Sequence, residues 1–118
     1  MRHLKKTKKF KRTEEERKRL WIDLCSALIK SGKITTFTAR AKWFRPKFER
    51  MVTWCKRAGA DTQLAYRRLR PYLSETDSRK MIEEIVPKFS ARNGGYTALL
   101  KVGEDFNTQD KSVVMLVE

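Results

Sequence analysis

From residue 13 to residue 88 the apolar positions recur at helical spacing, and after Asn93 they crowd into two short runs of another kind. Leu20, Trp21, Leu24, Cys25 and Leu28 share one stripe, which predicts a first helix near residues 14–31. Its start is marked by Thr13-Glu14-Glu15-Glu16. The Thr13 hydroxyl can accept from a free backbone N–H, Glu16 can reach back, and the acids suit the positive end of the helix dipole. Gly32 is a natural stop. Ile34-Thr35-Thr36-Phe37 is β-branched and reads as a small edge strand or an extended connector. Thr38 is expected to cap a second helix, with Ala41, Phe44, Phe48, Met51, Val52 and Cys55 inward and Gly59 at its end. Pro46 inside it removes a hydrogen bond and is expected to bend the axis. Residues 61–72 read as a third helix, with Leu64, Ala65 and Leu69 inward and Pro71 near its end. Ser74 with Asp77 marks another helix start; Met81, Ile82, Ile85 and Val86 form its apolar face, and Pro87 is expected to close it.

The second pattern begins at Asn93-Gly94-Gly95, a strong turn signal. Residues 96–102 and 112–117 suit strands, joined by a polar connection over 103–110. They are expected to pair as a hairpin, with 34–37 as a candidate third member. The predicted fold class is α+β: three to four helices packed on a small two- to three-stranded sheet. A basic extended N-terminal arm, residues 1–12, precedes a single globular domain, residues 13–118. There is no internal repeat.

Composition sharpens this picture. With 118 residues, 40% hydrophobic and 36% charged, the chain can build one domain with a modest core. Lys and Arg number 28 against 14 acids, a formal charge of +14. Seven of those cations stand in the first twelve residues, with no acid among them. Such a surplus points to a polyanionic partner, RNA or DNA. No run approaches a membrane span, and the first twenty residues lack the apolar centre of a signal peptide. A basic start can imitate a mitochondrial presequence, but Glu14, Glu15 and Glu16 follow at once. Cys25 and Cys55 each fall on an apolar helical face, far apart in sequence. They are expected to be buried free thiols rather than a disulfide or metal pair.

Catalytic chemistry is missing from the pattern. His3 is the only histidine and has no partners at ligand spacing. No phosphate-binding glycine motif is present, and Gly94-Gly95 is too short to make one. The acids form no carboxylate pair, and the serines at 31, 74, 78, 90 and 112 lack a histidine partner beyond the one in the arm. The expectation is no enzyme, no cofactor, no metal and no small-molecule substrate.

Three segments could hold RNA. In the arm, Arg2, His3, Lys5, Lys6, Lys8, Lys9, Lys11 and Arg12 can meet phosphates, and Phe10 can stack on a base or wedge into a groove, where a flexible solubilising tail is the plain alternative. Along the second helix, Arg40, Lys42, Arg45, Lys47 and Arg50 load the polar side with positive charge, where a merely solvated face is the plain alternative. Trp43 and Trp54 fall off its best apolar stripe and either cover the core edge or meet a partner. Arg67, Arg68 and Arg70 cluster on the third helix and favour phosphate. The third segment is Arg92-Asn93-Gly94-Gly95-Tyr96-Thr97. Its glycines let backbone approach a ligand, Arg92 can fork onto a phosphate or a guanine edge, and Tyr96 can stack. A plain turn into a hairpin is the alternative.

At these residues the chain resembles the bacterial large-subunit ribosomal protein L17 family. Met1-Arg2-His3 and the basic run resemble that family's opening. Gly32-Lys33-Ile34-Thr35-Thr36 matches its GxIxTT segment, and residues 39–46 its AKxLRP-like segment. Arg92-Asn93-Gly94-Gly95-Tyr96-Thr97 resembles its most specific motif, R-x-GGYT. The resemblance covers almost the whole chain. It implies a non-catalytic structural protein that binds large-subunit (23S-type) rRNA near the nascent-chain exit region, beside neighbouring large-subunit proteins. Carried over, His3 and its basic neighbours, Arg40, Lys42, Arg45, Arg92 and the 94–97 segment join the RNA-facing or fold-defining set; Lys33 is a further candidate RNA-binding residue. Glu14-Glu15-Glu16 depart from the family's basic or neutral residues and shorten the expected contact of the arm. Ala98 replaces a common basic residue, and Asp105 and Asp110 thin the charge of the last connection. A bacterial, cytoplasmic ribosome is expected over an organellar one. A DNA-binding regulator and a protein-interaction module built on Trp43, Trp54 and the sheet edge are the competing readings.

Overall fold

The computed structural model describes residues 12–104 and 110–117. Helix α1 (Glu14–Ser31) begins where the sequence expects. The Thr13 hydroxyl accepts the Glu16 N–H at 3.2 Å and donates to the Glu16 carboxylate at 3.0 Å. Glu16 thus returns to the hydroxyl instead of to a backbone N–H. At the other end Gly32 adopts φ 80°, and its N–H closes onto Leu28 O at 2.8 Å. That left-handed conformation suits glycine because a Cβ would strain it.

Strand β1 (Lys33–Phe37) follows at the sheet edge and leads directly into helix α2 (Thr38–Ala58). Here one expectation is corrected. Thr38 is the first residue of the helix and does not cap it; the N-cap position is Phe37, which supplies no side-chain bond. The Thr38 hydroxyl is buried and meets the Ser112 hydroxyl at 2.7 Å instead. Pro46 lies inside α2, which runs on to Gly59.

Helix α3 (Thr62–Leu69) is shorter than its pattern suggests. Asp61 caps it by accepting the Leu64 N–H at 3.1 Å. The chain then folds back through Tyr72 and Leu73, whose N–H groups both reach Leu69 O at 2.9 Å. Pro71, with no N–H to give, favours that ending.

Ser74 caps helix α4 (Glu75–Lys80) through the Asp77 N–H at 3.2 Å. The chain stays helical through a π turn (Met81–Ile85) into a last short helix, α5 (Val86–Lys88). Pro87 therefore does not close this run; it sits in the first turn of α5. The π turn has a packing reason. Asp77, Met81, Ile85 and Phe89 are all buried and stand four residues apart. In an α-helix each four-residue step drifts by roughly 40°. A wider turn undoes that drift and keeps the series on one side.

Strands β2 (Thr97–Glu104) and β3 (Asp110–Leu116) complete an antiparallel sheet of order β1-β3-β2. Val114 is fully buried at its centre, opposite Ile34 on one side and Leu99 on the other. A bulge between Lys101 and Gly103 shifts the β2 register. The helices cover the face that carries Ser112 and Val114, while Leu100 and Val102 on β2 remain exposed.

The core gathers around α2. Phe44, Phe48, Met51 and Val52 meet Cys25, Leu28 and Ile29 of α1, Leu69 of α3, and Met81, Ile85 and Phe89 of the last helical run. Two polar bonds pin α4 to α1: Ser26 Oγ to Asp77 Oδ2 at 2.5 Å, and Lys80 Nζ to Lys30 O at 3.0 Å. Both cysteines are free and buried. Burial pushes the Cys55 thiol up to about 11 and the Cys25 thiol further, against the opposing charge of Lys47. No described helix is long and apolar enough to cross a membrane.

Candidate nucleic-acid interface

The segment that joins α5 to β2 is held against α2 by three side chains. Arg45 donates from Nε to Thr97 Oγ1 and from Nη2 to Thr97 O, both at 3.0 Å. Thr97 Oγ1 in turn donates to Glu49 at 3.3 Å, one turn along α2. Two turns further, Lys56 Nζ donates to the Arg92 carbonyl and to the Tyr96 hydroxyl, the latter at 3.3 Å. The same ammonium lies 5.2 Å from the centre of the Tyr96 ring. These contacts clamp both ends of the Arg92–Thr97 loop onto one face of α2.

Within the loop, Arg92 Nη1 donates to Gly95 O at 3.3 Å. Gly94 has φ 146° and Gly95 φ 62°, and a Cβ at either would meet open space. Backbone conformation, not crowding, therefore selects glycine at both positions. Asn93 is exposed beside them. Tyr96 is only 3% exposed, with its ring 5.0 Å from that of Phe89. It anchors the loop to the core, and its ring faces are not open for a base to stack on.

The remaining basic residues fall into two groups. Arg45 and Lys56 hold the loop. Lys33, Lys42, Arg67 and Arg68 are exposed, and their side chains make no hydrogen bond, ion pair or ring contact among the described residues. Arg40 lies over the Phe37 ring at 5.3 Å. Such cations keep their full charge for a partner. Lys33, Arg40 and Lys42 belong to β1 and the start of α2, while Arg67 and Arg68 stand on α3. No described side-chain contact joins those two arginines to the loop.

Of the arm, Arg12 is described; its carbonyl accepts Arg17 Nη1 at 2.6 Å. Arg2, His3, Lys5, Lys6, Lys8, Lys9, Phe10 and Lys11 lie outside the described residues.

Trp43 and Trp54 cover the core edge, one of the two roles expected of them. Trp21, Trp43 and Trp54 are half-buried against the core. Tyr72 sits between two of them, with ring centres 5.2 Å from Trp21 and 5.8 Å from Trp54. Lys47 lies over Trp21 and Trp43, at 5.6 and 5.5 Å, and Lys18 over Tyr72 at 5.4 Å. Lys56 carries no signal in the sequence pattern, and the pattern gives Lys47 only as one of the cations along α2. Each looks like any surface lysine until a partner distant in the chain arrives beside it. Among the described residues no three His, Cys, Asp or Glu side chains gather as a metal site.

The chain is similar to known proteins over most of its length. The family model described as ribosomal protein L17 matches residues 20–118. The large ribosomal subunit protein bL17 of Rhodopseudomonas palustris (strain BisB5) is 36% identical over 100% of this chain and 84% of its own length. The bL17 protein of Persephonella marina is 37% identical over 98% of this chain and 93% of its own. That of Petrotoga mobilis is 41% identical over 87% and 85%.

Proposed function

Because this chain belongs to the ribosomal protein L17 family, we propose that it is a structural, non-catalytic constituent of the large ribosomal subunit. It binds folded 23S-type rRNA and holds it in shape. The observation that carries this reading is the set of exposed cations that have no partner among the described residues, together with a loop clamped to α2. Unpaired cations would release counterions from a phosphate backbone on contact. A clamped glycine loop presents backbone and Arg92 at low ordering cost.

The globular part docks through β1, the start of α2 and the Arg92–Gly95 turn, with Arg67 and Arg68 reaching a second stretch of backbone. The arm, through Arg2 to Arg12, runs between RNA segments and lowers their mutual repulsion. Contacts are mainly to phosphate and to shape, with few to base edges. Neighbouring large-subunit proteins border the site. The position near the polypeptide exit region is supported by the family resemblance alone, as is a place in the cytoplasm.

Sedimentation of a native lysate tests the reading. The chain is expected to travel with large subunits at low magnesium and to resist moderate salt. A chain that stays at the top of the gradient as a free monomer, with no RNA crosslinked at Arg92 or Lys42, overturns it.

A further inference from the structure

One cleft lies away from the Arg45–Thr97 end of the loop and shares Lys56 with its clamp. It lies between the end of α2, the start of α3 and the α4–α5 run, and encloses about 280 Å³. That is close to the roughly 300 Å³ at which small-ligand clefts begin. Ala65, Ile82, Val86 and Pro87 supply apolar walls, with buried Cys55 among the lining residues. Thr62 and Ser90, both exposed, bring hydroxyls to it, and Lys56 brings its ammonium.

Two further features bear on its occupant. The first is the π turn. Met81, Ile85 and Phe89 are buried in the core, while Ile82 and Val86, each one residue later, line the cleft. The wider winding lets one short run serve both surfaces, and π turns concentrate at functional positions. The second is charge. Among the described residues no acid lines the cleft. Arg57 and Lys88 are exposed next to the lining residues Lys56 and Pro87, and the Arg92 carbonyl rests on Lys56, while Glu83, exposed next to Ile82, lines a different cleft beside Arg79. The nearby Asp61 carboxylate is turned onto its own helix end. Lys56 donates to two acceptors and has a third N–H to give.

We propose that this cleft receives one unstacked base of the rRNA. This assignment rests on the RNA-binding reading above and gives it a base-specific contact. The base faces pack on Pro87, Ile82 and Val86. Its edge comes within reach of the Thr62 and Ser90 hydroxyls, and the adjoining phosphates meet Arg57, Lys88 and Lys56. Splayed bases of loops and bulges are the part of RNA that such a cleft can read. An apolar side chain from a protein would gain nothing from the cationic surroundings.

The test fills the cleft from outside with Ser90→Trp and, separately, Thr62→Trp. Both positions are exposed, and thermal melts check that the fold survives. Full-length chains are titrated with deproteinised large-subunit rRNA across a salt series. Each variant is expected to bind about tenfold more weakly at every salt concentration, with an unchanged salt slope because the phosphate contacts stay in place. One nucleotide protected from chemical probing by the wild type should become reactive. Ultraviolet crosslinking of the wild-type complex, which needs no variant, should join that nucleotide to a peptide from residues 55–65 or 82–90.

Wild-type affinity and protections in both variants overturn the proposal, as do crosslinks that avoid both peptides. Variants that bind bare rRNA normally yet drop out of subunits assembled in cells assign the cleft to a neighbouring protein and overturn it too. A wild-type chain that fails to bind rRNA at all removes the underlying reading as well, which separates that failure from one confined to the cleft.

Discussion

Arg45 on α2 grips Thr97 at the start of β2 twice, once at the hydroxyl and once at the carbonyl, both at 3.0 Å. The two residues are 52 apart in sequence. The bond makes Arg45 a clamp on the Arg92–Thr97 loop. Arg45→Met is expected to cost about 2 kcal/mol, the range for hydrogen bonds made by a charged group. Arg45→Lys keeps the charge but not the fork, and should recover only part of the loss. Urea unfolding of the three proteins checks this. Full stability in Arg45→Lys would show that charge alone matters there.

Lys56 holds the other end of the same loop. Lys56→Met should leave the core intact and loosen residues 92–96. Hydrogen exchange at the Gly94 and Gly95 amides is expected to quicken, while amides in α1 stay protected. Equal exchange in both proteins would remove Lys56 from the clamp.

The buried Thr38–Ser112 hydroxyl pair invites a double-mutant cycle. Thr38→Val strands the Ser112 hydroxyl and should destabilise by about 1–3 kcal/mol. Adding Ser112→Ala removes the stranded group and should restore much of that. Additive losses in the cycle would mean the two hydroxyls are not coupled.

The thiols set an alkaline limit. Burial raises Cys55 from its ordinary value of 9.0 to about 11 and pushes Cys25 up as well. Between those values the unfolded chain binds fewer protons than the native one, so stability falls as pH rises from 9 toward 11. Below that window both states keep the proton and the effect vanishes. The Cys25→Ala, Cys55→Ala protein should lose less stability between about pH 8 and about pH 10.5 than the wild type. Parallel curves for the two proteins would refute this.

The arm predicts a salt effect. Replacing Lys5, Lys6, Lys8 and Lys9 with Gln should weaken rRNA binding, and each phosphate freed from a lysine should flatten the log–log salt slope by about 0.7–0.9. An unchanged slope would mean that the arm does not touch the backbone.

Much of the helical frame is legible in the sequence, because its signals act over one turn. Thr13, Asp61 and Ser74 each accept a backbone N–H three residues on, and Gly32 and Gly59 close their helices with positive φ. The differences arise where a local group finds a distant partner. Thr38 has the chemistry of a cap, but Ser112 lies 74 residues away and buries its hydroxyl. Pro87 has the chemistry of a stop, but the preceding π turn leaves no mark in a pattern of apolar spacing.

The candidate surface divides along the same line. The surplus of positive charge, the GGYT turn and the order of elements are properties of the chain, set by residue type and near neighbours. Which cations are spent on the protein itself is not. Arg45, Lys56 and Lys80 bond to groups 52, 36 and 50 residues away, whereas Lys33, Lys42, Arg67 and Arg68 find no such partner among the described residues. Tyr96 shows the same dependence, since its burial follows from where Phe89 lies once the helices have packed. Short-range bonding and periodicity are local and survive in a string of letters. The pairing of a charge with a carbonyl across the core exists only after the chain has folded.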